Sequence, residues 1–132
     1  MFDLLIAFCL YSQVACRQQQ IINYAVLSAQ THNIDSNKFL MLISCESRFD
    51  EKAKGDFRSE TSEYMANGLL QMWEDTFNHF SQIYKIKGRY KELNPFTQID
   101  ISILMIRDGY VKRWYNCGLA SGLIENKNLT KK

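Results

Sequence analysis

The chain has a single proline, Pro95, and only six glycines in 132 residues. So few turn-forming residues leave little room for a many-stranded β architecture, and apolar positions at helical spacing dominate instead. Histidine is also scarce, with only His32 and His79, and none of the four cysteines forms a C-x-x-C pair. A zinc site is therefore not expected, and no metal or cofactor is. There is no strong excess of charge of one sign. The net charge of +2 and pI near 8.3 lack the footprint of a nucleic-acid binder but suit an anionic polymer. What is present is ordinary for a globular protein, 46% hydrophobic and 23% charged residues, which argues against disorder. The length suffices for one domain with a real core and hardly for two.

Residues 2–16, FDLLIAFCLYSQVAC, are apolar nearly all round and short for a membrane-spanning helix. They resemble the apolar region of a signal peptide, although Asp3 replaces a basic start and Gln13 sits poorly for a cut after Ala15. A secretion signal or membrane anchor and an N-terminal helix packed on the domain are both open readings. Domain organisation is read as residues 1–16 for this leader, 17–120 for the folded domain and 121–132 for a polar tail.

After a polar break at residues 17–20, Ile21, Ala25 and Ser28 with Ile22, Val26 and Ala29 predict an amphipathic helix. His32 then falls in a turn, as a surface or capping residue. A second helix opens at Asp35 or Ser36, either of which can cap free N–H groups. Residues 50–67 have no sustained period and carry Asp50, Glu51, Asp56, Glu60 and Glu63, which reads as a long surface loop. A short apolar segment, Gly68-Leu69-Leu70-Gln71-Met72, precedes a helix from Glu74 with Phe77, Phe80 and Tyr84 inward. Residues 85–93 read as a basic, solvated linker. Asn94-Pro95 is a helix start, and Ile99, Ile103, Ile106 and Tyr110 mark its core face. Gly109 can end that helix.

Glu46 is the residue out of place. Ile43, Leu42 and Phe39 precede it by three, four and seven residues, so a carboxylate closes an otherwise apolar helical face. Desolvation there penalises the ionised form and raises the carboxyl pKa toward neutrality, as a general acid requires. The alternative is a glutamate that reaches solvent or pairs with Arg48.

Three pieces in order resemble the lysozyme-like lytic transglycosylase (SLT) family, related to goose-type lysozyme. Glu46-Ser47 with Phe49 and Ala53 is similar to its E-S-x-F-x-x-x-A block. Gly68-Leu69-Leu70-Gln71 followed by Thr76 resembles its G-L-M-Q segment. Tyr115-Asn116-x-Gly118 resembles its Y-N-x-G motif, with Cys117 in place of the usual alanine. The likeness covers about Ile21 to Gly118. It implies a mainly α, lysozyme-like helical domain with a long catalytic-site loop, acting on peptidoglycan glycan strands in a secreted, periplasmic or envelope setting.

The resemblance also implies the chemistry. Glu46 would serve as acid and then base, cutting the β-1,4 bond between N-acetylmuramic acid and N-acetylglucosamine to leave a 1,6-anhydro end. Ser47 would bond near the acetamido group, and Gln71 would contact substrate or orient Glu46. Tyr115 would donate its hydroxyl to Glu46, and Asn116 would brace that corner. Gln71 and Asn116 could instead satisfy backbone groups at turns, and Trp114 could anchor this end of the core. Met65, Met72 and Trp73 are candidates for sugar stacking, core packing being the commoner use of methionine. Since the motifs would put Cys45 beside Cys117, they imply either a disulfide, and so an oxidising compartment, or two buried thiols.

Three rival functions stand beside this one. A hydrolytic lysozyme of the same fold would position water with Asp56, Glu60 or Glu63. A non-catalytic wall-binding protein could keep the fold. A cysteine peptidase would use Cys45 and His79, but lacks a third residue to orient the histidine.

Overall fold

The computed structural model describes residues 13–126. Helix α1 spans Gln13–Thr31 and buries Ile21, Ala25 and Ala29. The polar run at residues 17–20 does not break it: all four are good enough helix formers to sit on a solvent-facing side, so the expected interruption is absent. Gln13–Cys16 thus form its first turn, and the rest of the expected leader or anchor lies outside the described residues. No helix among the described residues is long and apolar enough to cross a membrane.

Asp35 caps helix α2 (Ser36–Ser47), its carboxylate accepting from the Lys38 N–H at 3.0 Å. As the apolar spacing predicts, Phe39, Leu42 and Ile43 are fully buried. The helix stops where Arg48 turns left-handed (φ 53°) with its N–H on the Ser44 carbonyl, and Phe49 (φ 62°) continues the reversal.

Residues 50–67 are not one loop. They fold into an antiparallel hairpin of β1 (Lys54–Arg58) and β2 (Glu63–Asn67), with Gly55 opposite Ala66 and Phe57 opposite Tyr64. Alternation is poor because the hairpin is exposed on both faces toward its tip, so no clear period marks it. The Phe57 and Tyr64 rings, 5.0 Å apart, supply the cross-strand contact that holds it.

Helix α3 (Glu74–Ile83) buries Phe77 and Phe80 as expected, and half-buried Tyr84 follows its last turn. Residues 85–93 are more than a solvated linker. Within a 3-10 turn (Tyr90–Glu92), Tyr90 is half-buried and its hydroxyl donates to the Met72 carbonyl at 2.7 Å. Asn94 and Pro95 start helix α4 (Pro95–Arg107). This is the central helix, with Gln98, Ile99, Ile101, Ser102, Ile103 and Met105 all buried. The helix ends before Gly109 (φ 92°), so Tyr110 lies 45% exposed rather than on the core face. A second 3-10 turn (Val111–Trp114) leads into helix α5 (Tyr115–Ser121). The chain past Ser121 is not yet a free tail: the Ile124 N–H bonds the Gly118 carbonyl at 2.9 Å, and Ile124 packs where a Gly118 side chain would stand.

Fully buried Gln98 joins α4 to the segment between β2 and α3. Its Oε1 accepts from the Leu70 N–H at 2.9 Å, and its Nε2 donates to the Asn67 carbonyl at 3.1 Å. Replacing Gln98 with leucine keeps the volume but leaves both backbone groups without a partner. We expect Gln98→Leu to cost about 2–4 kcal/mol in urea unfolding. Ser102→Ala, which removes a buried hydroxyl without a partner among the described residues, should be neutral or stabilising by up to about 1 kcal/mol.

Candidate active site

Glu46 occupies the last turn of α2, between Cys45 and Ser47. It is half-buried, and no hydrogen bond or ion pair among the described residues engages its carboxyl. Burial alone pushes that carboxyl up to about 7 from the usual 4.5. The alternative in which Glu46 pairs with Arg48 is not realised. Arg48 instead provides the left-handed cap that turns the chain away from the helix.

That turn carries the chain to Ala53, where the first two motifs meet. The Ala53 carbonyl accepts from the Gly68 N–H at 2.9 Å and from Gln71 Nε2 at 3.0 Å. Gln71 Nε2 also donates to the Gly68 carbonyl at 2.9 Å. Since both partners are carbonyl oxygens, the amide orientation is fixed, and only Oε1 remains to accept. That oxygen lies against Gly55, where a methyl group would collide with it. Gly68 has φ 87° and faces Gln98, so the glycine of this motif is needed both for its backbone angle and for space. Gln71 itself is left-handed at φ 50°; with Arg48 and Phe49, this gives three non-glycine residues in a costly conformation around one corner.

The third motif is tied in twice. Trp114, 6% exposed, donates its indole N–H to the Leu70 carbonyl at 2.8 Å and anchors this end of the core. Cys117 on α5 is disulfide-bonded to Cys45, with Cα atoms 5.7 Å apart. Bonds therefore run in a closed circuit from Glu46 through residue 53 to Gly68 and Gln71. From there Leu70 leads to Trp114, and Cys117 leads back to Cys45. With both sulfurs bonded, Cys45 offers no thiolate, and the peptidase reading falls.

Ser47 is buried and its hydroxyl donates to the Ile43 carbonyl at 3.2 Å. Tyr115 is 57% exposed on the first turn of α5 and lines a depression with Val111, Lys112, Leu119 and Ile124. Asn116 beside it is exposed. Neither makes a side-chain hydrogen bond among the described residues. A second depression, about 260 Å³, is lined by Gln71, Met72, Trp73, Thr76, Arg113 and Trp114; Glu46 is not among its lining residues. Met72 is buried, whereas Trp73 is 36% exposed beneath the Arg58 guanidinium, 5.0 Å from its ring centre. Of the loop acids, Asp56 faces Arg58 at 3.5 Å, and Asp56, Glu60 and Glu63 are all exposed. Sequence reasoning missed Gln98 and Tyr90, the residues that hold the Gln71 segment; a lone glutamine inside an apolar helical face was the available signal for the first.

A carboxyl raised from 4.5 to about 7 is protonated in the folded chain over a range where the unfolded chain is ionised. Stability therefore falls as pH rises from about 4.5 through about 7 and is fully penalised above. Partial solvent contact reduces this to about 1–2 kcal/mol. Glu46→Gln should accordingly raise the unfolding free energy by about that amount at pH 8 and leave it unchanged at pH 4, as read by denaturant titration at the two values.

No curated protein and no solved structure gives a significant match to the chain. The family described as Transglycosylase SLT domain matches residues 23–122, a span that includes Glu46, Gln71, Tyr115 and the disulfide. The chain belongs to that family, a lysozyme-like class of glycosyl-cleaving domains that act on peptidoglycan.

Proposed function

We propose that the protein is a lytic transglycosylase that cuts the β-1,4 bond between N-acetylmuramic acid and N-acetylglucosamine with Glu46 as its single acid and base. The observation that carries this is a carboxyl without a counter-ion among the described residues, held near neutral pKa by burial, within the matched span and in the Glu46-Ser47 block that resembles the family's catalytic motif. Protonated Glu46 delivers its proton to the glycosidic oxygen as that bond breaks and positive charge builds on the muramyl ring. The substrate's own N-acetyl group assists. The carboxylate then takes the proton of the muramyl 6-hydroxyl as its oxygen attacks the anomeric carbon, closing the 1,6-anhydro ring. A pKa near the working pH lets one group do both steps.

Supporting residues divide by what they have left to offer. Both Gln71 amide protons are used, so Gln71 can only accept, from a sugar hydroxyl or acetamido N–H. Ser47 has given its proton to Ile43 and likewise keeps an acceptor for the acetamido group. Tyr115 and Asn116 are open to solvent, free to engage Glu46 and the glycan once substrate fills the corner. Trp73 offers a partly exposed ring for stacking. Action outside the cytoplasm, in a secreted or periplasmic setting, agrees both with the substrate and with the Cys45–Cys117 bond.

A hydrolase of the same fold would need a second carboxylate to hold water. Asp56, the hairpin acid nearest a cation, is engaged with Arg58, which disfavours that role. Digestion of purified peptidoglycan followed by mass spectrometry decides between the products. Anhydro-muramyl ends are expected, and reducing ends would establish hydrolysis. Glu46→Gln should lower cleavage by about 10²–10⁴-fold. Equal clearance by the two proteins would remove Glu46 from the mechanism, and no clearance by either would favour a wall-binding module. The rate should also decline above about pH 7 as Glu46 loses its proton.

A further inference from the structure

We infer that the Cys45–Cys117 disulfide is a positioning element of the active site, holding the first turn of α5 against the last turn of α2 so that water is kept from the Glu46 carboxyl. The inference rests on the reading of Glu46 as the acid. Cys45 is the residue next to Glu46, and Cys117 follows Tyr115 and Asn116 by two and one positions.

Helix α5 packs on α2 with Gly118 and Ser121 buried, but the disulfide is the one bond between the two helices among the described residues. Helix α5 is only seven residues long, and no side chain caps its start. Among the described residues, no hydrogen bond joins it to α2. Its own bonds are local, Ser121 to the Gly118 carbonyl and Ile124 back to the same oxygen. The Trp114 bond to Leu70 secures the approach to α5 but not its lie against the Glu46 turn. Nor is the disulfide a core-filling pair, because Cys45 is exposed and Cys117 half-buried. Closing a loop across 72 residues would restrict the unfolded chain just as well at a site away from Glu46. Its place beside Glu46 is what that restriction leaves unexplained.

Electrostatics agree with this geometry. The elements packed on α2 are α1 and α5. Their titratable groups are Arg17, paired with Glu51, Tyr24, bonded to Asp100, and Tyr115. None contributes to the raised pKa of Glu46, which comes from exclusion of water alone. Loosening α5 admits water, so the carboxyl should move back toward its ordinary value.

The test uses the full chain with Cys45→Ala/Cys117→Ala, since Cys16 is also disulfide-bonded and a reductant would not discriminate. Three quantities are measured: kcat and KM on soluble peptidoglycan fragments, the Glu46 carboxyl titration by 13C NMR, and the Tm. We expect kcat to fall about tenfold with KM within about twofold. The Glu46 midpoint should drop by about one unit from its value near 7. A lower Tm with kcat and midpoint unchanged would make the bond a plain staple and overturn the inference. If the unmodified chain fails to cleave peptidoglycan, the proposed function falls alone; the NMR midpoint still decides the coupling, a drop supporting it and constancy overturning it. Should the alanine pair not fold, Cys45→Val/Cys117→Ala restores bulk and carries the same measurements. Failure of both to fold makes the bond a requirement of the fold and likewise overturns a positioning role.

Discussion

The segment from Asn67 to Met72 turns back on itself inside the protein, and its backbone polar groups must be satisfied without water. An unpaired buried N–H or C=O costs about 1–3 kcal/mol, so several left open would be a large share of a small domain's stability. Part of the solution is local: Asn67 and Met72 exchange N–H to C=O bonds of 3.1 and 3.2 Å. The rest is brought from far along the chain. Gln98 serves Leu70 and Asn67, Trp114 serves Leu70, Tyr90 serves Met72, and Ala53 receives Gly68 and Gln71. Four separate stretches converge because one turn needs their hydrogen bonds. Their convergence is also what fixes the corner around Glu46.

At that corner the opposite rule applies. The Gln71 amide, the Trp114 indole and the Ser47 hydroxyl all give their protons to carbonyl oxygens rather than to a carboxylate. Among the described residues Glu46 is left half-buried and without a partner, which a stability-optimised design would avoid and which suits an acid catalyst. The left-handed Arg48, Phe49 and Gln71 add backbone cost at the same place. Neighbouring hydrogen bonds and a disulfide hold a strained, electrostatically unfavourable arrangement that local preferences alone would relax.

Much of this was legible in the sequence, and the reasons differ by element. Helices α2 and α4 carry strong signals, a capping Asp35 and an Asn94-Pro95 start, and each ends near where a left-handed residue or glycine stops it. Glu46 stood out by its spacing from Phe39, Leu42 and Ile43, and burial in the structure agrees. The hairpin was missed because both its faces meet solvent toward the tip, which erases period two. The run at residues 17–20 was misread because polar side chains on an exposed helical face look like a break when only polarity is counted. Tyr90 was invisible for a further reason. Its role is a hydrogen bond to a residue 18 positions earlier, and no local pattern encodes that. The orientation of Gln71 is of the same kind, since which proton meets which carbonyl depends on the hairpin bringing Ala53 within reach.

These failures share a cause that bears on how such a site is built. Sequence periodicity reports which side of an element faces the core, and it is accurate where burial of apolar surface decides the structure. Around Glu46, burial has already been settled by Phe39, Leu42, Ile43, Leu69 and Leu70, all fully buried. What remains is the distribution of a limited set of donors among more acceptors, a long-range problem with no period. Gly55, Gly68 and Gly118 mark where that distribution demands close approach: Gln71 over the first, Gln98 over the second, Ile124 over the third. A methyl group at any of the three would have to displace one of these side chains. Two of them are amides whose hydrogen bonds define the corner, so the glycines at 55 and 68 belong to the candidate site as much as to the fold.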